Sequence, residues 1–161
     1  MTLNNTGSLL YTGSEDKTIR VWNTKTLKEI KNLRMKGEGI TALINNDNFQ
    51  DFLYSGEQTG LIRQWDTQSG QEIVENRMEG HLGPVNSLTM NKDGTKLYSV
   101  SRDRTIRVWS TETALEYEAL RVTVSHGIMT ITFNYVNNVF YTGSSGENFI
   151  RVWDIETNKE F

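Results

Sequence analysis

The stretch "SEDKTIRVWNTKT" (Ser14–Thr26) holds a short run of strand-forming residues, Ile19 to Trp22, between two polar segments of turn composition. The same unit returns as "TGLIRQWDTQSG" (Thr59–Gly70), "RDRTIRVWSTET" (Arg102–Thr113) and "GENFIRVWDIETN" (Gly146–Asn158). Trp22, Trp65, Trp109 and Trp153 are therefore separated by 43, 44 and 44 residues. A second marker keeps step: "YTGS" at Tyr11, "YSGE" at Tyr54, "YSVS" at Tyr98 and "YTGS" at Tyr141 precede their tryptophans by 11, 11, 11 and 12 residues. A period near 44 residues denotes a repeat architecture. Helical repeats of that length need apolar residues at three-and-four spacing over a dozen positions. These units instead show short β-rich runs punctuated by Gly, Asn, Asp and Ser, which predict strands and hairpins.

The third unit is the most regular. Val85–Met90 reads as a first strand, Asp93-Gly94 as the tight turn after it, Lys96–Ser101 as a second strand and Thr105–Ser110 as a third. In "ALEYEAL" (Ala114–Leu120) apolar and charged residues alternate, which predicts a fourth strand at an exposed sheet edge with Glu116 facing solvent. The first three strands are apolar on both faces, so each small sheet must be covered on both sides by others of its kind.

Composition narrows the class further. Of 161 residues, 36% are apolar and 23% charged, ordinary for a soluble globular chain with one modest core. Seventeen Lys and Arg against 20 Asp and Glu give a net charge of −3, leaving no global basic field for a phosphate backbone, so nucleic acid is not an expected partner. The absence of cysteine removes disulfides, thiolate zinc sites and a cysteine nucleophile, and fits an intracellular location, cytoplasmic or nuclear. No apolar run approaches the roughly 18 residues of a membrane span, and "MTLNNTGSLLYTG" has no signal-peptide pattern. A membrane is not expected either.

Together the repeats resemble the WD-repeat β-propeller family over essentially the whole chain. The resemblance implies an all-β fold of four-stranded antiparallel blades. Four are present, over 1–37, 38–79, 80–124 and 125–161, as a partial ring or half of a larger one. In that family a Gly-His pair precedes the first strand, a Ser or Thr lies in the second, an Asp in the next tight turn, and a Trp closes the third. The third unit matches with Gly80-His81, Ser99 or Ser101, Asp103 and Trp109. The others depart. The first has Thr12, Asp16 and Trp22 but begins after the histidine position. The second has Thr59 in place of the turn Asp and Glu38 after Gly37. The fourth gains a residue in "SSGEN", putting Glu147 or Asn148 near the Asp position, and "SHG" at Ser125–Gly127 inverts the Gly-His order. Only the third unit is expected to carry the complete hydrogen-bonded set.

His81 and His126 lie 45 residues apart, about one repeat, and the resemblance gives both a structural role at equivalent places on adjacent sheets. No cluster with metal-ligand spacing surrounds them, so neither metal nor cofactor is expected. Ser125-His126, and His81 with Asp103, supply the residue types of a serine hydrolase but no nucleophile elbow, and no phosphate loop or paired carboxylates stand outside the turns. No enzyme is expected. Arg20, Arg63, Arg107 and Arg151 recur two residues before each Trp and share its face. They should pack their stems between sheets and reach a sheet edge or a carboxylate on the neighbouring sheet, the alternative being a basic stripe for a phospho-group or acidic ligand. "KTLKEIKNLRMK" (Lys25–Lys36) reads as a charge-protected outer edge or a docking strip for an acidic partner. The arginine that follows the Trp-Asp pair in cullin-ligase receptors of the family is replaced here by Lys25, Gln68, Glu112 and Glu156.

The function implied is a non-catalytic scaffold for proteins or peptides, the alternatives being a regulatory or targeting domain of a longer enzyme and an acidic-ligand binder. Recognition is expected where loops entering the first strands meet turns leaving the second: Glu15, Gln58 and Arg102 in the turns, Thr41, Asn86 and Met129 at the strand starts. Aligning the third unit on the first sets Leu88 opposite Met1, inside an innermost strand, and "NKEF" stops as an outer strand begins. Both end sheets should then show apolar faces, covered by further blades of a parent chain or by a second copy that completes an eight-bladed ring.

Overall fold

Residues with strand propensity on both sides of each tight turn pair into four antiparallel sheets in the computed structural model, which describes residues 1–46 and 51–161. The first contains β1 (Thr2–Leu3), β2 (Leu9–Gly13), β3 (Thr18–Asn23) and β4 (Lys28–Arg34), hydrogen-bonded in that order. The second contains β5 (Ile40–Asn46), β6 (Phe52–Glu57) and β7 (Ile62–Asp66). The third contains β8 (Val85–Met90), β9 (Lys96–Ser101), β10 (Thr105–Ser110) and β11 (Val122–Thr123). The fourth contains β12 (Ile128–Asn134), β13 (Val139–Ser144) and β14 (Ile150–Asp154). Among the described residues, no helix is long and apolar enough to cross a membrane.

Register gives every blade two different faces. Each Trp lies opposite a Leu or Phe: Trp22 on Leu10, Trp65 on Leu53, Trp109 on Leu97, Trp153 on Phe140. The opposite face carries the Tyr, with Tyr11 on Val21, Tyr98 on Val108 and Tyr141 on Val152. The Tyr face of one blade packs on the Trp face of the next. Tyr11, Ile19 and Val21 thus meet Ile40, Leu53 and Trp65. Tyr54 and Ile62 meet Leu88, Leu97 and Trp109. Tyr98, Ile106 and Val108 meet Ile128, Phe140 and Trp153. Each buried aliphatic or aromatic side chain in these seams contributes roughly 1.5–3 kcal/mol. Burial pushes the Tyr98 phenol up to about 12, and its hydroxyl donates across the third seam to the Ile155 carbonyl at 3.2 Å.

The turn between second and third strands explains one departure from the motif. Lys17, Gly60 and Arg104 take the equivalent left-handed position, with φ of 69°, 93° and 71°. A side chain there is costly, and the first and third blades hold it with Asp16 and Asp103, which accept the N–H groups of Thr18 and Thr105. Glycine adopts the geometry unaided, so the second blade can place Thr59 where the Asp would stand.

The fourth strand expected over Ala114–Leu120 does not form. Glu116 makes an isolated bridge to Trp109, Glu118–Leu120 turns as a 3-10 helix, and the pairing edge is completed by β11. The second blade repeats the pattern with a Trp65–Glu72 bridge and a 3-10 turn at Val74–Asn76, and the fourth with a Trp153–Glu160 bridge. Glu116 is also not on a solvent edge: Arg107 and Arg121 draw its carboxylate inward.

Packing at the seams sets the stability. Ile106→Ala, at a position with 0% exposure, should lower unfolding free energy by about 2–5 kcal/mol, while Val136→Ala, 93% exposed in a hairpin turn, should stay within about 0.5 kcal/mol. Urea denaturation followed by tryptophan fluorescence measures both.

Candidate interaction surface

The third blade assembles its polar residues into one chain of hydrogen bonds. The Trp109 indole N–H donates to Ser99 Oγ at 2.8 Å, Ser99 Oγ lies 2.7 Å from His81 Nε2, and His81 Nδ1 lies 2.8 Å from Asp103 Oδ2. A carboxylate only accepts, so Nδ1 carries the proton, Nε2 accepts the Ser99 hydroxyl, and a Ser99 lone pair remains for the indole. Ser101 takes a different part: its hydroxyl donates to the Gly83 carbonyl at 3.0 Å and accepts the Asp103 N–H at 3.1 Å, bracing the loop. Burial alone would push the Asp103 carboxyl up. Hydrogen bonds from His81, Thr105 and the Leu82 N–H outweigh it and hold the group well below the usual carboxylate range. The Ser99, His81 and Asp103 order has the shape of a nucleophilic relay, but Ser99 is fully buried beneath the indole, beyond reach of a carbonyl arriving from solvent.

The indole bond recurs in the other blades, from Trp22 to Thr12, Trp65 to Ser55 and Trp153 to Thr142, at 2.9, 2.8 and 2.8 Å. What stands behind the hydroxyl differs. In the second blade a buried Glu57–Arg63 ion pair replaces the histidine and aspartate. In the fourth, Glu147 takes the place open to it or to Asn148, accepting from His126 Nδ1 at 3.1 Å and from Arg151 at 2.7 Å. The Arg151 guanidinium pulls the Glu147 carboxyl down to about 2. His126 occupies the equivalent loop to His81 but remains half-exposed on Glu147, apart from the Trp153–Thr142 pair.

The four recurrent arginines pair within their own blades rather than with a neighbouring sheet. Arg20 meets Glu29 at 3.2 Å, Arg63 meets Glu72 at 2.7 Å, Arg107 meets Glu116 at 2.8 Å and Arg151 meets Glu160 at 2.7 Å. Each Glu lies directly across from the Trp in the register, so the Arg two positions back on the same face is its diagonal neighbour. Burial opposes ionisation of Glu72 and Glu116, yet the flanking Arg63 with Arg77, and Arg107 with Arg121, keep both carboxyls below their ordinary range. A Glu seven residues after every Trp is the sequence signal for this layer. Each guanidinium group thus faces a carboxylate of its own blade, so the arginines form no stripe of unpaired cations.

The six residues expected to meet a partner come together at one end of the blades in two rows. Gln58 Nε2 lies 3.5 Å from Glu15 Oε1, and the Arg102 backbone lies against Gly127, where an added Cβ would sit 3.3 Å from Arg102 Cα. Gly39 is tighter: a Cβ there would sit 2.9 Å from Glu15 Cα, so the entrance to the second blade rests directly on the first blade's turn. Thr41, Asn86 and Met129 each occupy a bulge at the start of an innermost strand. The Thr41 hydroxyl bonds the Val85 carbonyl at 2.5 Å and the Asn86 amide donates to the Ile128 carbonyl at 2.7 Å. Those two side chains staple the second blade to the third and the third to the fourth. Glu15, Gln58, Arg102 and Met129 remain as exposed groups. On the outer side Lys31 is also spent, donating to the Gln68 carbonyl at 2.7 Å, while Lys28 stays exposed.

The family model described as WD domain, G-beta repeat matches residues 1–23, 73–110 and 118–154, more than half of the chain. This chain belongs to the WD-repeat family. Eukaryotic translation initiation factor 3 subunit I of Schizosaccharomyces pombe is 30% identical over 83 residues, covering 50% of this chain and 24% of that protein. COMPASS component SWD3 of Saccharomyces cerevisiae is 32% identical over 80 residues, covering 48% and 24%. The matches thus span about a quarter of the length of these relatives. A chain in the crystal structure of a mitotic checkpoint complex has the same fold, with a TM-score of 0.84 at 19% identity over 98% of this chain and 48% of that one. Glu57, whose ion pair replaces the histidine network, lies outside the matched WD segments.

For this WD-repeat chain Asp103→Asn should cost about 1–3 kcal/mol at pH 7, because His81 and the Leu82 N–H lose a charged acceptor. Asp103 is depressed in the folded state, so its contribution is present above the unfolded carboxyl value near 4 and is lost as pH falls through the lower folded value. The gap between wild type and variant in urea midpoint should therefore narrow from pH 7 to pH 3.

Proposed function

We propose that this WD-repeat chain is a non-catalytic scaffold that holds a protein or peptide against the blade end carrying Glu15, Gln58, Arg102 and Met129. The observation that carries this reading is the division of labour among the polar side chains. His81, Ser99, Asp103, Arg63, Arg107 and Asn86 are at least partly buried and bonded inside or between blades, whereas Glu15, Gln58, Arg102 and Met129 stand exposed on strand ends and tight turns, Gln58 and Glu15 side by side. A rigid sheet with variable end residues supports recognition without disturbing the core.

Both charge signs appear on this end, Glu15 in the first blade and Arg102 in the third, and the net charge is −3, which suits a mixed polypeptide surface better than a nucleic-acid backbone or an anionic membrane. The relatives support the reading by their names, as a subunit of an initiation factor, a component of COMPASS and a member of a checkpoint complex. An intracellular setting, cytoplasmic or nuclear, goes with it. The phospho-ligand alternative loses its cations to Glu29, Glu72, Glu116 and Glu160.

Capture from cell extract on immobilised protein tests the surface. Proteins retained by wild type should be lost, by at least about tenfold, with the folded double variant Arg102→Glu, Met129→Ala, and kept by Lys28→Glu on the outer strand. The reverse pattern would move the binding surface to the outer edge.

A further inference from the structure

We infer that a groove at the end of the seam between the third and fourth blades binds an acidic, apolar peptide segment of another protein, its carboxylates facing Lys92 and Lys96. The groove lies at the blade end opposite Glu15, Gln58, Arg102 and Met129 and shares no residue with that surface. It has a volume of about 600 Å³, with the turn after β8 on one side, Tyr135 in the turn after β12 on the other, and Tyr98 between them. Its walls are already pinned to each other. The Tyr98 hydroxyl donates to the Ile155 carbonyl at 3.2 Å and the Tyr135 hydroxyl to the Met90 carbonyl at 2.5 Å, one bond from each blade to the other. Phe133 stands edge-on to both rings, with centroids 4.7 and 5.6 Å away. A concave aromatic surface fixed in advance loses little conformational freedom when a ligand enters.

Charge decides the class of ligand. Arg107, Arg121 and Arg151 of these two blades are all held by carboxylates, but among the described residues Lys92 and Lys96 form no ion pair. Lys92 is exposed, and the Lys96 ammonium lies over the Tyr117 ring, 5.4 Å from its centroid. Asp93 also borders the groove but is engaged in its own turn, accepting the Thr95 N–H and hydroxyl at 3.1 and 2.7 Å. Glu156 on the far rim is exposed. The equivalent groove between the first and second blades shows that the fold does not require the lysines. There the Leu9 N–H bonds Asn4 Oδ1 at 2.9 Å, as the Lys96 N–H bonds Asn91 Oδ1 at 2.8 Å, so Asn5 and Leu9 hold the places of Lys92 and Lys96. Its far rim is tied by Gln68, which donates to Asp51 at 2.8 Å, whereas Glu156 and Asn138 hold the matching places here. Two ammonium groups beside an apolar, aromatic groove complement carboxylates that flank an apolar side chain. A neighbouring blade covers a side face, while this groove opens at the end of a seam that the chain itself closes.

Fluorescence anisotropy tests this with labelled heptapeptides that alternate Asp or Glu with Leu, Ile or Phe, and a matched set carrying Asn and Gln in place of the acids. Acidic peptides should bind at least about tenfold more tightly than their neutral counterparts, and less tightly as salt is added. The double variant Lys92→Glu, Lys96→Glu, shown to be folded by circular dichroism, should lose them by at least about tenfold, while Glu156→Gln should hold them more tightly. Asn5→Glu in the equivalent groove, and the double variant Arg102→Glu, Met129→Ala at the opposite end, should bind them as wild type does. The inference is overturned if no acidic peptide binds, if the neutral set binds equally well, or if the lysine variant retains them. Loss with Arg102→Glu, Met129→Ala would place the peptides at the other end, and capture of phosphatidylserine vesicles without the peptides would make the ligand a membrane; either result also overturns it.

Discussion

The hydrogen bond from each tryptophan indole to a hydroxyl one strand away organises this structure. Thr12, Ser55, Ser99 and Thr142 accept it at 2.8–2.9 Å in four separate blades. A large ring buried with its N–H unpaired would cost several kcal/mol, so the bond permits the indole to serve as packing surface. It also fixes which face of the third strand looks toward the preceding blade. A one-residue slip would carry the Trp to the Tyr face and reverse every seam.

Around that shared bond the blades differ in the polar groups they assemble, and only in the third do these reach the hydroxyl itself. The third uses a histidine backed by a carboxylate, the second a buried Glu57–Arg63 pair, the fourth Glu147 between Arg151 and a half-exposed His126. Outside this variation runs a constant layer, an arginine two residues before the Trp held by a glutamate seven residues after it. Neither the largely buried pairs, Arg63–Glu72 and Arg107–Glu116, where desolvation offsets much of the attraction, nor the exposed ones, where solvent screens it, are strong evidence for stability. The clearer effect of the layer is geometric: in the second, third and fourth blades it ties the chain after the third strand back to the blade where regular strand pairing has given way to isolated bridges.

The same economy separates frame from function. Side chains with catalytic credentials, Ser99, His81 and Asp103, are closed off by the ring they support, and the cations that could have formed a ligand stripe are committed to their own carboxylates. The side chains left exposed include those of Glu15, Gln58, Arg102 and Met129 in the turns and bulge at the blade ends.

The architecture was legible in the sequence because its determinants are local and periodic: tryptophans at 43 and 44 residues, tyrosines in step with them, and turn residues between short apolar runs. The His81, Asp103 and Trp109 set could be read from the third unit for the same reason. Ser99 and Ser101 could not be told apart by composition, since both are small hydroxyls two residues apart on one face. Register decided, placing Ser99 opposite Arg107 and under the indole while Ser101 turned to the loop. The failed fourth strand has a related cause. Alternation in Ala114–Leu120 predicts an edge, but the attraction of Glu116 to Arg107 and Arg121 is a contact between strands that no local pattern encodes. Likewise Thr41 and Asn86 looked like free surface until the next blade's carbonyls appeared beside them. The sequence by itself determined the repeat, the strands and the faces they bury. Tertiary structure alone decided which polar groups those faces consume, because that depends on the distance between residues a full repeat apart.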